Sequence, residues 1–206
     1  AISKWERNEI VKNGVNRGLI KTISNGVEDE ALKNADQLVD KKFKLKVKAF
    51  GKYIIQVGRI HPIKNYETSI KAMIHVDSSI KYLIVGPIQD RRYKAYLDSL
   101  IKDLLLENRV KFWGEASGIR KYYLIKHAQL MIHMALWESY CNAVHEGLSQ
   151  GLICIVSNSS ALPYLVKDGV NGFCIDTKDH KTLASKINYV LNNKKNKKIR
   201  DMESNN

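Results

Sequence analysis

The stretch "YIIQVGRIHPIKN", residues 53–65, decides how the rest of the chain is read. A largely apolar run of five, Tyr53 to Val57, stops at Gly58 and Arg59. The chain then turns through Pro62 and Lys64 into a segment patterned as a helix. That is one βα unit, and the rhythm recurs. Further strand candidates are "KYLIV" (81–85), "RVKFW" (109–113), "LMIHM" (130–134), "LICIV" (152–156) and "GFCI" (172–175). Helix candidates lie near 65–75, 90–107, 118–127, 141–150, 160–167 and 179–192. The alternation predicts an α/β fold, a doubly wound parallel sheet of the Rossmann-like kind.

Sheets of this kind bind ligands where strand ends lead into helix N-termini, so function is sought at the strand exits. Nearly every exit carries Gly, Ser or Pro: "VGRIHPIKN", "VGPIQD", "FWGEAS", "MALWES" and "VSNSSALP". The first opening offers a basic pair, Arg59 and Lys64. Arginine supplies a planar fork of donors and lysine a point charge, a combination suited to a diphosphate. The fourth runs into "LWESYCNAVHEGLSQG" (136–151), where Glu138 and Glu146 flank a helix start. With the helix beginning near Asn142, the free N–H groups of Asn142 and Ala143 can seat a phosphate. Glu146, in the second turn, can accept from a vicinal diol such as a ribose, and Glu138 from sugar hydroxyls. Spacing alone also allows the plain alternatives: a surface basic pair, a helix-start acid favoured by the macrodipole and a solvated glutamate.

Several chemistries drop out. No GxxxxGK[ST] loop occurs, and no GxGxxG follows a strand, which removes P-loop enzymes and ordinary dehydrogenases. An acid pair for glycoside hydrolysis would need an enclosed acid and cleft aromatics, and a rim with a basic pair argues against it. The histidines at 61, 75, 127, 133 and 145 show no metal-ligand spacing, and "MIHMA" is expected to bury His133 as a satisfied core residue. Cys141, Cys154 and Cys174 have no ligand or CxxC spacing and read as reduced core thiols, which favours the cytosol.

With 206 residues, 44% of them hydrophobic, the chain can bury a sizeable core without disulfides. Residues 51–192 hold the α/β pattern. Residues 1–50 read as a lead-in packed on it: a helix over "SKWERNEIVKNG" ending at Gly14, a short strand and turn in "LIKTISNGVE", then a polar, irregular segment over 28–48. Residues 193–206 are expected to form a basic, frayed tail. No run reaches the roughly 18 apolar residues of a membrane span, and the start lacks a signal-peptide layout. The net charge of +13 is concentrated in "DKKFKLKVK" (40–48) and "NNKKNKKIR" (192–200). Such a field attracts anions in general, including an acidic membrane surface. Nucleic acid is disfavoured, because aromatic residues are not interleaved with the lysines.

The order of motifs is more specific than any one of them. "VGRIHPIKN", "YLIVGP", "RVKFWGEAS", "LWESYCNAVHEGLSQG" and "ALPYLVKDGVNGFCID", after the lead-in "ISNGVE", resemble the C-terminal, donor-binding half of the retaining glycosyltransferases of the GT-B fold, group 1 or family 4. The resemblance implies transfer of a sugar from a nucleotide-diphosphate sugar, with neither metal nor cofactor. It puts the diphosphate on Arg59 and Lys64 beside Gly58, and the E-x7-E pair on Glu138, near the donor sugar, and Glu146, on the ribose. Asn142 and Ala143 then face the distal phosphate, and the base lies around Gly114 to Ile119. The chain departs from the family pattern at Cys141, where Gly or Pro is usual, at Ile153, where Pro is common, and at Ser160, Ala161 and Tyr164, where Gly-Gly-x-Pro-Glu is common. An amino-terminal acceptor domain, missing here, is expected to complete a cytoplasmic enzyme, peripheral to the membrane where the lysines engage it. The fragment alone is then expected to bind donor without efficient transfer. A noncatalytic nucleotide- or sugar-binding module, or a basic protein of nucleic acid or anionic membranes, is the alternative.

Overall fold

A computed structural model describes residues 1–193. In chain order the elements are α1 (Lys4–Lys12), α2 (Asp29–Leu38), α3 (Lys41–Phe50), β1 (Tyr53–Val57), α4 (Tyr66–Ala72), β2 (Lys81–Val85), α5 (Arg91–Asp103), β3 (Val110–Gly114), α6 (Gly118–Lys126), β4 (Met131–His133), α7 (Asn142–Ser149), β5 (Cys154–Ser157), α8 (Leu162–Leu165), β6 (Gly172–Ile175) and α9 (His180–Asn192). The strands form one parallel sheet in the order β3-β2-β1-β4-β5-β6. Each expected strand and helix from residue 53 onward is present, with ends moved by up to four residues.

Both faces of the sheet are covered, which is why the central strands are apolar at successive positions. Ile54, Tyr82, Ile84, Ile132 and Ile155 pack under α4, α5 and α9, forming one core layer. Tyr53, Ile55, Leu83, Val85, Met131 and Val156 point the other way, under α2, α3, α6, α7 and α8. The strand order reverses between β1 and β4. β1 leads outward to β2 and β3, while β4 returns to its other side, so the loops leaving these two neighbours diverge and open a crevice.

The lead-in differs from the sequence expectation in two places. Residues 28–48 are not irregular, since they lie within the stretch that forms α2 and α3. Apolar positions at helical spacing, Ala31, Leu32, Ala35 and Val39, then Phe43, Val47 and Phe50, face the second core layer. Asp40 caps α3 by accepting from the Phe43 N–H at 2.9 Å. The lysines of α3 obscured this pattern, although lysine is a good helix former and its stem packs well. The strand expected in "LIKTISNGVE" does not form. Ile23 N–H reaches the Ala1 carbonyl at 2.9 Å and the Ala1 amine the Lys21 carbonyl at 3.1 Å, contacts that build no ladder. Leu19 and Ile23 stay 82% and 65% exposed. The expected helix is α1, capped by Ser3 and followed by Gly14 at φ +93°. The tail expectation falls, from residue 194, outside the described residues.

Candidate functional site

The crevice is built by the exits of β1 and β4. At the first, Gly58 donates to the Val85 carbonyl at 2.9 Å, and its own carbonyl accepts from Tyr66 Oη at 2.7 Å. Gly86, leaving β2 at φ +149°, crosses so close that a Cβ there would lie 2.1 Å from the Gly58 oxygen. The chain beyond Gly58 is held by buried amides. Gln56 Nε2 donates to the Lys64 carbonyl at 3.1 Å, while Gln56 Oε1 accepts from Ser69 Oγ at 3.0 Å and Tyr82 Oη at 2.6 Å. Asn65 takes the left-handed conformation (φ +50°), which asparagine tolerates. Its Nδ2 donates to the Met134 carbonyl at 2.9 Å and the Thr177 carbonyl at 2.7 Å. Leu136 N–H closes on the Ile63 carbonyl at 2.8 Å. The two exits therefore form one unit.

This places Lys64 against Glu138, 74 positions away. Lys64 Nζ and His133 Nε2 both bond Glu138 Oε1, the latter at 2.6 Å, while Oε2 has no partner among the described residues. The Glu138 side chain is 12% exposed. Burial alone would raise its pKa, but the His133 hydrogen bond, the charges facing it from His133 and Lys64, and the Lys64 hydrogen bond hold it down at about 2. Its backbone is tied as well, with the N–H on Ser160 Oγ at 2.8 Å and the carbonyl accepting from Ala161 N–H at 3.1 Å.

His133 corrects the expectation of a satisfied core histidine. It is buried, but Nδ1 has no hydrogen-bond partner among the described residues and Nε2 belongs to the site. Its position on the strand that ends before "ALWES" was the signal available in the sequence. His133, Glu138 and Cys141 bring potential ligand atoms within 4.8 Å of one another. The Lys64 ammonium already occupies the shared carboxylate oxygen, and burial followed by the Glu138 charge pushes the Cys141 thiol well above its usual range. The ammonium on that oxygen opposes a second cation there.

α7 begins at Asn142, as expected, with Cys141 as its N-cap at φ +77° and no side-chain cap. The backbone N–H groups of Asn142 and Ala143, at the start of the helix, have no partner among the described residues. Ser160, on the other side of Glu138, is also left-handed, at φ +46°. Two of the departures from the family pattern, Cys141 and Ser160, therefore occupy conformations that glycine adopts without cost. Asn142 Oδ1 accepts from Asn25 Nδ2 at 2.8 Å, and the Asn25 carbonyl accepts from Tyr140 Oη at 3.2 Å, so "ISNGVE" reaches the helix start.

Glu146, 8% exposed in the second turn, accepts from Lys121 Nζ of α6 at 2.6 Å. The sequence reading did not single out Lys121. Arg59 is exposed and bonds no described residue. Gly114, at φ +93°, ends β3 at the same rim and accepts from the Gly86 N–H at 2.9 Å. The structure thus brings Gly58, Lys64, Glu138, Asn142 and Ala143 to the β1 and β4 exits, with Arg59 at their solvent side. Glu146 and Gly114 lie along the same strand-exit edge.

Comparison with known proteins matches residues 39–206 to the family model described as "Glycosyl transferases group 1". An uncharacterized glycosyltransferase of Methanocaldococcus jannaschii is 28% identical over 97% of this chain and 50% of its own length. The Escherichia coli UDP-Gal:alpha-D-GlcNAc-diphosphoundecaprenol alpha-1,3-galactosyltransferase is 30% identical over 85% of this chain and 46% of its own length. Among solved structures, HepE of Anabaena in complex with UDP and glucose superposes with a TM-score of 0.86 over 100% of this chain and 56% of that one, at 24% identity, a likeness of fold. The chain spans about half the length of the curated relatives it matches.

Proposed function

The chain belongs to the group 1 glycosyl transferases, and we propose that it is the donor-binding half of a retaining, metal-independent member, one that moves a sugar from a nucleotide diphosphate to an acceptor held by a second domain. Its α/β sheet is that of the GT-B glycosyltransferases. The observation that carries the proposal is the convergence of Lys64 and Glu138 on the crevice beside the uncapped start of α7. Arg59 and Lys64 take the diphosphate, and the N–H groups of Asn142 and Ala143 the distal phosphate. These charges and dipoles stabilise the leaving diphosphate as the bond to the sugar breaks. Glu138, held charged with Oε2 open, accepts from donor-sugar hydroxyls. Glu146 holds the ribose, and the turn from Gly114 to Ile119 lies beside the base.

The second domain is the amino-terminal acceptor domain. The exposed apolar side chains Val15, Leu19 and Ile23 in the lead-in, and Leu136 and Trp137 after β4, are the surface it would cover. The exposed Lys41, Lys42 and Lys48 of α3 flank Leu45, 58% exposed, and favour peripheral contact with an anionic membrane as a second property of the same cytoplasmic enzyme. Among the described residues no helix is long and apolar enough to cross a membrane.

Calorimetric titration with UDP, GDP and ADP and their sugars tests the donor reading. One of them is expected to bind this chain, and Glu146→Ala to weaken it. Folded protein that binds none of them overturns the proposal. Turnover by the longer protein separates an enzyme from a noncatalytic binding module. Sedimentation with acidic and neutral liposomes at two salt concentrations tests the α3 surface, and equal binding to both would dismiss it.

A further inference from the structure

We propose that Lys121 is a specificity-determining residue of the nucleotide site, acting with Glu146 as a matched donor and acceptor for a ribose hydroxyl. The inference rests on the reading of Glu146 as the ribose residue.

Lys121 stands in the first turn of α6, just past the exit of β3, and its ammonium lies 2.6 Å from Glu146 Oε1 on α7. The two side chains are only 19% and 10% exposed. The ion pairs that tie the same helix to the lead-in are far wetter: Arg120 with Asp40 at 59% and 48%, and Lys126 with Asp36 at 41% and 42%. Withdrawing a lysine and a glutamate from water is costly, and a well-packed apolar pair would join two helices at least as well. A part-buried pair at a ligand rim therefore suggests a use beyond packing.

The hydrogen-bond inventory indicates that use. Lys121 carries three donors, one of them on Oε1, and Glu146 Oε2 has no partner among the described residues. A carboxylate alone can only accept. With the ammonium beside it, the site offers an open acceptor oxygen and two further N–H donors, enough to complement a hydroxyl that both donates and accepts. A ribose 2′-hydroxyl satisfies both, whereas a 2′-deoxyribose leaves a partly buried acceptor and donor unpaired. Sites built to hydrogen-bond a hydroxyl discriminate strongly against ligands lacking it.

The test is calorimetric titration of UDP and 2′-deoxy-UDP, with the GDP pair in parallel, into the parent chain, Lys121→Met, Lys121→Arg and Glu146→Ala. The parent is expected to prefer the ribonucleotide by about tenfold or more. Lys121→Met should weaken the ribonucleotide by about tenfold, leave the deoxynucleotide within about twofold and so collapse the ratio. Lys121→Arg keeps a charged donor and should restore most of the preference. The ratio is read within each variant, so a loss of folded material cancels. An unchanged ratio in Lys121→Met, beside a collapsed one in Glu146→Ala, overturns this inference alone and makes the pair structural. An unchanged ratio in Glu146→Ala, or no nucleotide binding by the parent, overturns the ribose reading and this inference with it.

Discussion

The geometry around Glu138 makes a quantitative prediction about acid stability. Its carboxyl sits at about 2 in the folded protein, against 4.5 for an unperturbed glutamate. A depressed folded value gives stability that is present above the unfolded value and lost as pH falls toward the folded one. The difference corresponds to about 3 kcal/mol at neutral pH, of which about 2 kcal/mol should disappear between pH 5 and pH 3. Glu138→Gln removes the titrating group and serves as the reference. Urea unfolding of both proteins at steps of pH, followed by tryptophan fluorescence, isolates this carboxyl from every other acid in the chain. The parent is expected to be the more stable at pH 5, with the gap shrinking by about 2 kcal/mol at pH 3. A gap independent of pH would refute the argument that His133 and Lys64 together outweigh the burial of the carboxylate.

Three shorter predictions concern the backbone around the crevice and the lead-in. Gly86→Ala places a Cβ 2.1 Å from the Gly58 oxygen at a φ of +149°, so it should lower stability by about 3 kcal/mol or more in a thermal melt. A melt within about 0.5 kcal/mol of the parent would show that the exits of β1 and β2 can part freely. Cys141→Gly relieves a left-handed residue at φ +77° while deleting a small buried side chain, so stability should move by no more than about 1 kcal/mol and nucleotide affinity should persist. Cys141→Val, β-branched at the same φ, should destabilise clearly in the same assay. Leu19→Lys and Ile23→Lys are exposed changes and should alter the stability of this chain by less than about 0.5 kcal/mol. A larger loss would mean that these side chains are already packed here and do not await a second domain.

The misses share a physical cause: each depended on a partner remote in sequence. Residues 28–48 read as irregular in one dimension because the lysines of α3 mask Phe43, Val47 and Phe50, which count as a helix face only once there is a sheet to cover. "LIKTISNGVE" has strand composition, but a strand exists only where another chain segment completes its ladder, and the described residues supply none. His133 reads as core because its burial is legible in "MIHMA", whereas its bond to Glu138 is set by how the loop after β4 folds back.

The sequence by itself determined the order of strands and helices, because apolar runs, turn residues and amphipathic stretches are local signals that survive in one dimension. It also picked out Gly58, Arg59, Lys64, Glu138 and Glu146, since strand exits of such a sheet face one edge. Only the tertiary structure decided what those side chains meet. Lys64 reaches Glu138 because β1 and β4 are neighbours in the sheet although β2, β3 and three helices separate them in the chain. Lys121 reaches Glu146 because α6 and α7 pack on the same face. Spacing fixes which residues arrive at an edge, and the strand order fixes which charge each acid carries beside it.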